Sequence, residues 1–452
     1  MAENFAQILV LLSVSVSVIV LFQRLHIPTS LGYLLVGIIL SPHTIGPALD
    51  VPEIKGLAEF GVVFLLFTIG LNYSLPQLHA LRGQVLGLGT AQVALGTIAV
   101  MGLAMLAGMP TAAAFVIGAV FAQSSSTIIG SQLTEQAEQN TPYGRLGLAV
   151  SVFQDVTAVP FLVIIPVLGM AVSADALAGI LGLAMAKAAL AFALVFFVGK
   201  WLFRPLFHIV TKQQSLEALT LAVLLVVLLA AWSTNQLGLS LAFGAFLAGM
   251  MLGETEFRHQ VESSIRPFRD VLLGLFFIGV GMLLNPSTLP DIWLYSLLGM
   301  VVLLLSKIVI VLSVVRRSGV DWESSLRTAL IVSVGGEFGL ALLALALGAQ
   351  VLDIRLGQII LTSVLFSMVA GAMLIRFNGP IARFFTSRSK AVKGDAAAID
   401  MPAQTVLIGG YGRVGHTLAV LFQTSGIPYV AFDSDPKRVE QGRVDGHHVF
   451  YG

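Results

Sequence analysis

Apolar residues in this chain fall into long blocks divided by short polar connections. Thirteen such blocks lie near residues 5–23, 30–48, 57–73, 84–107, 112–133, 146–170, 176–200, 215–234, 238–253, 268–284, 292–315, 326–348 and 356–378. A helix of about 18–20 apolar residues satisfies its own backbone and is long enough for a hydrocarbon core of about 30 Å. The pattern therefore predicts an all-α polytopic membrane protein, with about 13 transmembrane helices inside residues 1–383. The first block has no basic stretch before it and no small-residue cleavage site after it, so it reads as a retained helix. Residues 384–403 are charged and lack apolar periodicity, which predicts a linker. Residues 404–452 then return to short strand and helix patterns.

Composition agrees with this division. Of 452 residues, 57% are hydrophobic and 11% charged, and mean hydropathy is +0.92, values no soluble domain of this size shows. A net charge of +1 makes no case for nucleic acid. The absence of cysteine excludes disulfides and thiolate metal sites within the chain. Positive charge is distributed unevenly. Alternate connections hold Arg24, Arg82, Arg145, Lys200, Arg204, Lys212, Arg258, Arg266, Arg269, Arg316, Arg317 and Arg327, whereas the others hold only Lys55 and Arg355. Basic residues stay on the cytoplasmic side. The N-terminus is thus expected outside and the C-terminus in the cytoplasm, in the cell (inner) membrane.

A repeat is legible in the glycines. GYLLVGIILSP (32–42) resembles FGAFLAGMMLGE (243–254), with Gly37 against Gly249 at an offset of 212. FLLFTIGLN (64–72) resembles LFFIGVGMLLN (275–285), with Gly70 against Gly281 at 211. SSSTIIG (124–130) falls opposite VGGEFG (334–339) at about 210. Gly-rich apolar helices resemble one another in any protein, and only the shared offset argues for duplication. Spans 2–6 and 9–13 would be the copies, and a displacement of seven spans inverts the second. Two inverted five-helix repeats point to a secondary transporter with its site at mid-membrane. Spans 5 and 12 are interrupted at equivalent places, by Ser124–Thr127 and by Gly335–Glu337. They are expected to be two discontinuous helices that cross there.

Four ionisable residues lie deep within spans: Asp155, Lys187, Lys307 and Glu337. A central Asp, Lys or Arg costs about 2.5–3.5 kcal/mol or more, so each needs a reason. Asp155, within SVFQDVTAVP (151–160), is the main candidate. Desolvation favours a protonated carboxyl and a nearby cation favours the charged form. One such group can therefore hold a proton or a monovalent cation (K+ or Na+), but not both. Gln154, Ser125, Ser126 and Thr127 would supply neutral oxygens beside it. Lys307 is expected to pair with Asp155, as a structural staple or as a gate released by the ion. Glu337 either ligands or gates the ion, or satisfies N–H groups freed at the break in span 12. Lys187 reads as lipid-facing or structural. Transport itself calls for no cofactor.

In the tail, TVLIGG (405–410) reads as a buried strand, and Gly410-Tyr411-Gly412-Arg413-Val414-Gly415 opens a helix. YVAFD (429–433) is a second strand, and its Asp433 lies 23 residues after Gly410. Strand, glycine fingerprint, helix and acid in this order predict a Rossmann-like nucleotide-binding segment. The glycines let a phosphate approach the helix N-terminus, and Asp433 would accept from ribose hydroxyls. Arg413 either touches phosphate or is simply exposed. A whole domain of this type runs well past Gly452, so the stretch reads as the first part of one.

GVVFLLFTIGLN (61–72), SSSTIIG, FQDVTAVP (153–160), PFRDVLLGLFFIGVGM (267–282), the mid-span Lys307 and GGEF (335–338) together resemble the Kef-type branch of the cation:proton antiporter-2 family. The resemblance implies a thirteen-helix antiporter, usually a homodimer, with a dimerisation domain and an ion-translocation core. It implies that Asp155 with Gln154 is the ion-binding pair, that Lys307 faces that Asp, and that potassium leaves in exchange for protons. For the tail it implies a potassium-transport nucleotide-binding (RCK) domain that regulates transport by binding AMP or NAD(H). One departure stands out: in FRHQVESSIRPF (257–268) Glu262 is present, but Ser264 and Arg266 stand where glutathione-gated members carry acids. The resemblance thus carries the transport core and not the glutathione gate. Two other classes compete. A nicotinamide-dependent membrane enzyme would need a substrate domain beside the glycine fingerprint, where roughly 20 residues remain. A channel would need a continuous pore, whereas an inverted repeat around one titratable Asp suits alternating access.

Overall fold

The computed structural model describes residues 2–24, 27–44, 51–72, 87–170, 174–212, 215–386, 405–433 and 436–451. Helices α1 (Ala2–Arg24), α2 (Thr29–Ile39), α3 (Val51–Asn72), α4 (Gly87–Leu106), α5 (Thr111–Ala122) and α6 (Ser126–Glu135) come first. They are followed by α7 (Pro142–Leu168), α8 (Ala174–Val198), α9 (Arg204–Lys212), α10 (Leu216–Gln236) and α11 (Leu241–Gly253). The remainder are α12 (Arg258–Met282), α13 (Leu289–Arg317), α14 (Trp322–Val332), α15 (Glu337–Gly348), α16 (Ile354–Arg376) and α17 (Asn378–Thr386). Among the described residues, 8 helices are long and apolar enough to cross a membrane, or 9 if α14 and α15 form one bent span. The expected thirteen segments all carry helix. However, α2 and α11 are short, and α12 begins with the polar stretch RHQVESSIRPF before turning apolar. Most of the expected linker, from residue 387 onward, lies outside the described residues, as does Arg82.

The membrane helices form two packed groups. In one, α2 packs on α12 and α3 packs on both α11 and α12, with α1 and α10 at its flanks. A Cβ on Gly37 would lie 2.1 Å from the Ile278 carbonyl oxygen, and one on Gly249 would lie 2.0 Å from that of Phe67. Backbones therefore meet directly, as small residues permit where lipid supplies no hydrophobic drive between helices. The second group gathers α4 to α7 with α13 to α16, and α7 and α8 reach across to α11.

Side-chain caps set several helix starts in the second group. Thr141 accepts from the Gly144 N–H at 3.1 Å, and Asp353 accepts from that of Leu356 at 2.8 Å. A polar knot closes one end of the group. Arg327 donates to Glu138 Oε1 and Asn378 Oδ1, both at 2.5 Å, and its guanidinium lies 3.8 Å over the Tyr143 ring. Asn378 in turn donates to Glu138 Oε2 at 3.1 Å. The α6–α7 connection, the start of α7, the middle of α14 and the start of α17 are tied together there.

The tail is a separate compact unit. Its parallel sheet has the order β1 (Val406–Gly409), β2 (Tyr429–Asp433), β3 (Val449–Tyr451), connected through α18 (Arg413–Thr424) and α19 (Pro436–Val444). Val406 stands opposite Tyr429, and Ala431 opposite Val449. This is the parallel βαβ arrangement that the sequence predicts.

Candidate ion site and nucleotide cleft

The two interrupted spans meet at their interruptions. After Ala122 the chain leaves helix for Gln123–Ser125, and Ser125 caps α6 by accepting the Ile128 N–H at 3.1 Å. After Val332, residues 333–336 break the helix, and α15 continues at 43° to α14. Gly336 has an ordinary extended backbone (φ −121, ψ 152), so its glycine is required for space and not for conformation. A Cβ there would lie 2.6 Å from the Ser124 carbonyl carbon and 2.7 Å from its oxygen. The Ser124 hydroxyl donates to the Val332 carbonyl at 2.7 Å.

Lys307 of α13 reaches into this crossing and is 1% exposed. Its Nζ donates to the Gln123 carbonyl at 2.5 Å and to the Val334 carbonyl at 2.9 Å, one from each interruption. This corrects the expected pairing: Lys307 does not bond to Asp155. The physical reason is that broken helices free carbonyl oxygens, and an ammonium with three donors answers two of them at once. Lys307→Met keeps the volume and strands both carbonyls, each at about 1–3 kcal/mol. A clearly lower melting temperature in detergent is expected, and unchanged melting would rule out this stapling role.

Glu337, the first residue of α15, reaches across to the other span. Its Oε1 accepts from Thr127 Oγ1 at 2.7 Å and its Oε2 from Ser125 Oγ at 2.9 Å. These two hydroxyls, expected beside Asp155, are thus engaged by Glu337. Asp155 is buried in α7, where Ser126 and Glu337 are the side chains that act on it electrostatically. Among the described residues its Oδ1 is buried without a hydrogen-bond partner. Gln154 is wholly buried: its Oε1 accepts the Ser124 N–H at 2.8 Å and its Nε2 donates to Gln92 Oε1 at 2.6 Å. The six residues Asp155, Gln154, Ser125, Ser126, Thr127 and Glu337 therefore converge on one crossing. Gln92 was not among the candidates, although a lone amide in the apolar run GLGTAQVALGTIAVM (87–101) was a signal. Lys187 is apart from this site, with its ammonium near Gly238 in the connection after α10.

In the tail, Gly410 sits at φ +93 and Gly412 precedes the first turn of α18. A Cβ on Gly415 would lie 1.9 Å from the Gly410 carbonyl oxygen, so the turn closes only around glycine. A cleft of about 690 Å³ runs past Gly409, Gly410, Gly412, Val414 and Arg438. Asp433 Oδ2 accepts the Tyr411 N–H at 2.6 Å, and Arg438 Nη1 lies 3.6 Å from the same oxygen. The Tyr411 side chain turns inward, packing with Ile408, Ala419 and Val449, and does not line the cleft. Burial, with Tyr429 and Asp445 nearby, pushes the Tyr411 phenol up to about 12. The Arg413 side chain lies outside the described residues.

Residues 10–377 match the family described as sodium/hydrogen exchanger, transmembrane. The chain belongs to the sodium/hydrogen exchanger family. Residues 406–452 of this exchanger match the TrkA-N domain. It is 53% identical over 454 residues to a candidate K(+) efflux antiporter, KefB, of Alkalimonas amylolytica, covering 98% of this chain and 68% of the relative. It is 36% identical to the chloroplastic K(+) efflux antiporters 2 and 1 of Arabidopsis thaliana, covering 99% and 98% of this chain. The exchanger spans only 39% and 38% of those plant proteins. Among solved structures it resembles the sodium proton antiporter MjNhaP1 of Methanocaldococcus jannaschii at pH 8, with TM-score 0.62 and 18% identity over 84% of this chain and 98% of that one. That likeness speaks for the fold.

Proposed function

We propose that the protein is a secondary active antiporter that exchanges potassium for protons by alternating access, under control of a cytoplasmic nucleotide-binding domain. The observation that carries this reading is the unpartnered, buried Oδ1 of Asp155 beside the crossing of two interrupted helices in a member of the exchanger family. One carboxylate that must be neutralised in lipid accepts either a proton or a cation, and the exclusion couples the two flows. Potassium is preferred because the relatives above are named as K(+) efflux antiporters; sodium at the same site is the second reading.

Two inverted repeats are supported by reciprocal packing. Gly37 of α2 meets Gly281 of α12, and Gly249 of α11 meets Phe67 and Leu71, which flank Gly70 of α3. The Ser125–Glu337 hydrogen bond joins positions 212 apart, an offset of the repeat. Thirteen crossings, an outside N-terminus, a cytoplasmic C-terminus in the inner membrane and a homodimer complete the proposal. The exchanger proper is residues 1–383, with a linker at 384–403 and the nucleotide segment at 404–452. Gly410, Gly412, Val414 and Gly415, with the Tyr411 backbone and Arg413, would receive phosphates of AMP or NAD(H), and Asp433 would face the ribose.

In sealed vesicles preloaded with acid, a potassium pulse should drive proton movement more strongly than sodium. Proton flux with neither salt would overturn the antiport reading, and potassium current without proton coupling would make the protein a channel.

A further inference from the structure

We infer that Gln92 of α4 is a positioning residue for transport, holding the interrupted span beside Asp155 through a one-way relay of two side-chain amides. This rests on the Asp155 exchange reading above. Gln92 Nε2 donates to the Ala122 carbonyl at 3.4 Å, and Gln154 Nε2 donates to Gln92 Oε1 at 2.6 Å. The Ser124 N–H donates to Gln154 Oε1 at 2.8 Å. Ala122 and Ser124 flank Gln123, the point at which α5 stops being helical. The two amides therefore close a loop around the interruption, tying a carbonyl on one side to an N–H on the other. Backbone groups freed in a membrane helix need such partners.

Gln92 is 1% exposed and Gln154 is fully buried, so no surface solvent reaches the relay. Because Gln154 precedes Asp155 on α7, the relay fixes the height of the carboxylate against the interruption. Gln92 acts through Gln154.

The chemistry of the relay makes it testable. A neutral amide both donates and accepts. Methionine at position 92 does neither. An ionised glutamate accepts only and loses the Ala122 contact, whereas a protonated glutamate donates and accepts and restores the chain. The elements packed against α4 are α5, α7 and α13; α5 carries no titratable side chain, and the mid-helix charges are Asp155 on α7 and Lys307 on α13. Both are present in the native protein, whose rate at each pH is the baseline for the mutant ratio, and any shift that an ionised glutamate at position 92 imposes on Asp155 acts through the same relay.

Potassium-driven proton flux is measured across pH in vesicles holding the full chain, Gln92→Met, Gln92→Glu or Asp155→Asn. Gln92→Met should raise the apparent KM for potassium at least tenfold, with a lower melting temperature because it strands the Ala122 carbonyl and the Gln154 amide. The Gln92→Glu to native rate ratio should climb as pH falls. A native potassium KM in Gln92→Met, or a ratio flat with pH, would overturn the proposal. Should Gln92→Met fail to fold, the pH ratio of Gln92→Glu decides alone. Full flux in Asp155→Asn would instead reject the exchange reading, independently of the Gln92 ratios.

Discussion

Asp155→Asn should reduce potassium-driven proton flux to that of empty vesicles, a loss of at least about a hundredfold. An amide neither takes up nor releases a proton in this range, and it offers a cation no charge. The substitution preserves shape, so a packing defect cannot account for the loss. It also removes a carboxylate whose Oδ1 has no hydrogen-bond partner, so melting should be unchanged or raised. Stability retained with transport lost is therefore the expected signature. Proton-coupled flux near the native level would remove Asp155 from the mechanism.

Gly336→Ala should have the second largest effect, acting through shape. Its Cβ would overlap the Ser124 backbone at 2.6 Å, and no side-chain rotation can relieve a contact with backbone. The two interruptions would have to separate, pulling Glu337 from Ser125 and Thr127 and the Val334 carbonyl from Lys307. Overpacking of a tight interior typically costs about 1–3 kcal/mol, occasionally more, and contact with backbone belongs at the upper end. Poor yield of monodisperse protein and flux below a tenth of native are expected. Gly335→Ala is the matched control. Its Cβ would meet Ser367 Oγ at 2.3 Å and Val364 Cγ1 at 3.2 Å, both side-chain tips. Rotation of Ser367 can make room, so this variant should fold and transport measurably. Equal behaviour of the two alanines would refute the backbone-crossing argument.

Both effects originate in features visible along the chain. The glycines at 335 and 336, and the serine run from 124, mark the places where two apolar helices could not stay continuous. Asp155 stands out because a carboxylate in an apolar run is costly in lipid and needs a reason. The membrane reading was equally direct, since apolar blocks of this length must satisfy their own backbone.

Other features depended on partners distant in sequence. Lys307 needed oxygen, and its position did not say whether a carboxylate or a pair of freed carbonyls would provide it. Gln92 finds its partner 62 residues away, across two helices. Tyr411 lies inside a phosphate-binding fingerprint, yet its ring packs into the small core with Ile408, Ala419 and Val449, residues from other elements. Ser125 and Thr127, expected beside Asp155, bond to Glu337, 212 and 210 residues on.

The sequence by itself determined that the chain is membrane-embedded, where two of its helices break, which acid is exceptional and that a nucleotide fold begins in the tail. These follow from local rules: backbone satisfaction in lipid, helix continuity and the spacing of glycines. Only the tertiary structure decided which hydrogen-bonding groups meet at the crossing. That assignment depends on how closely two backbones approach, and one missing Cβ, at Gly336, sets the distance.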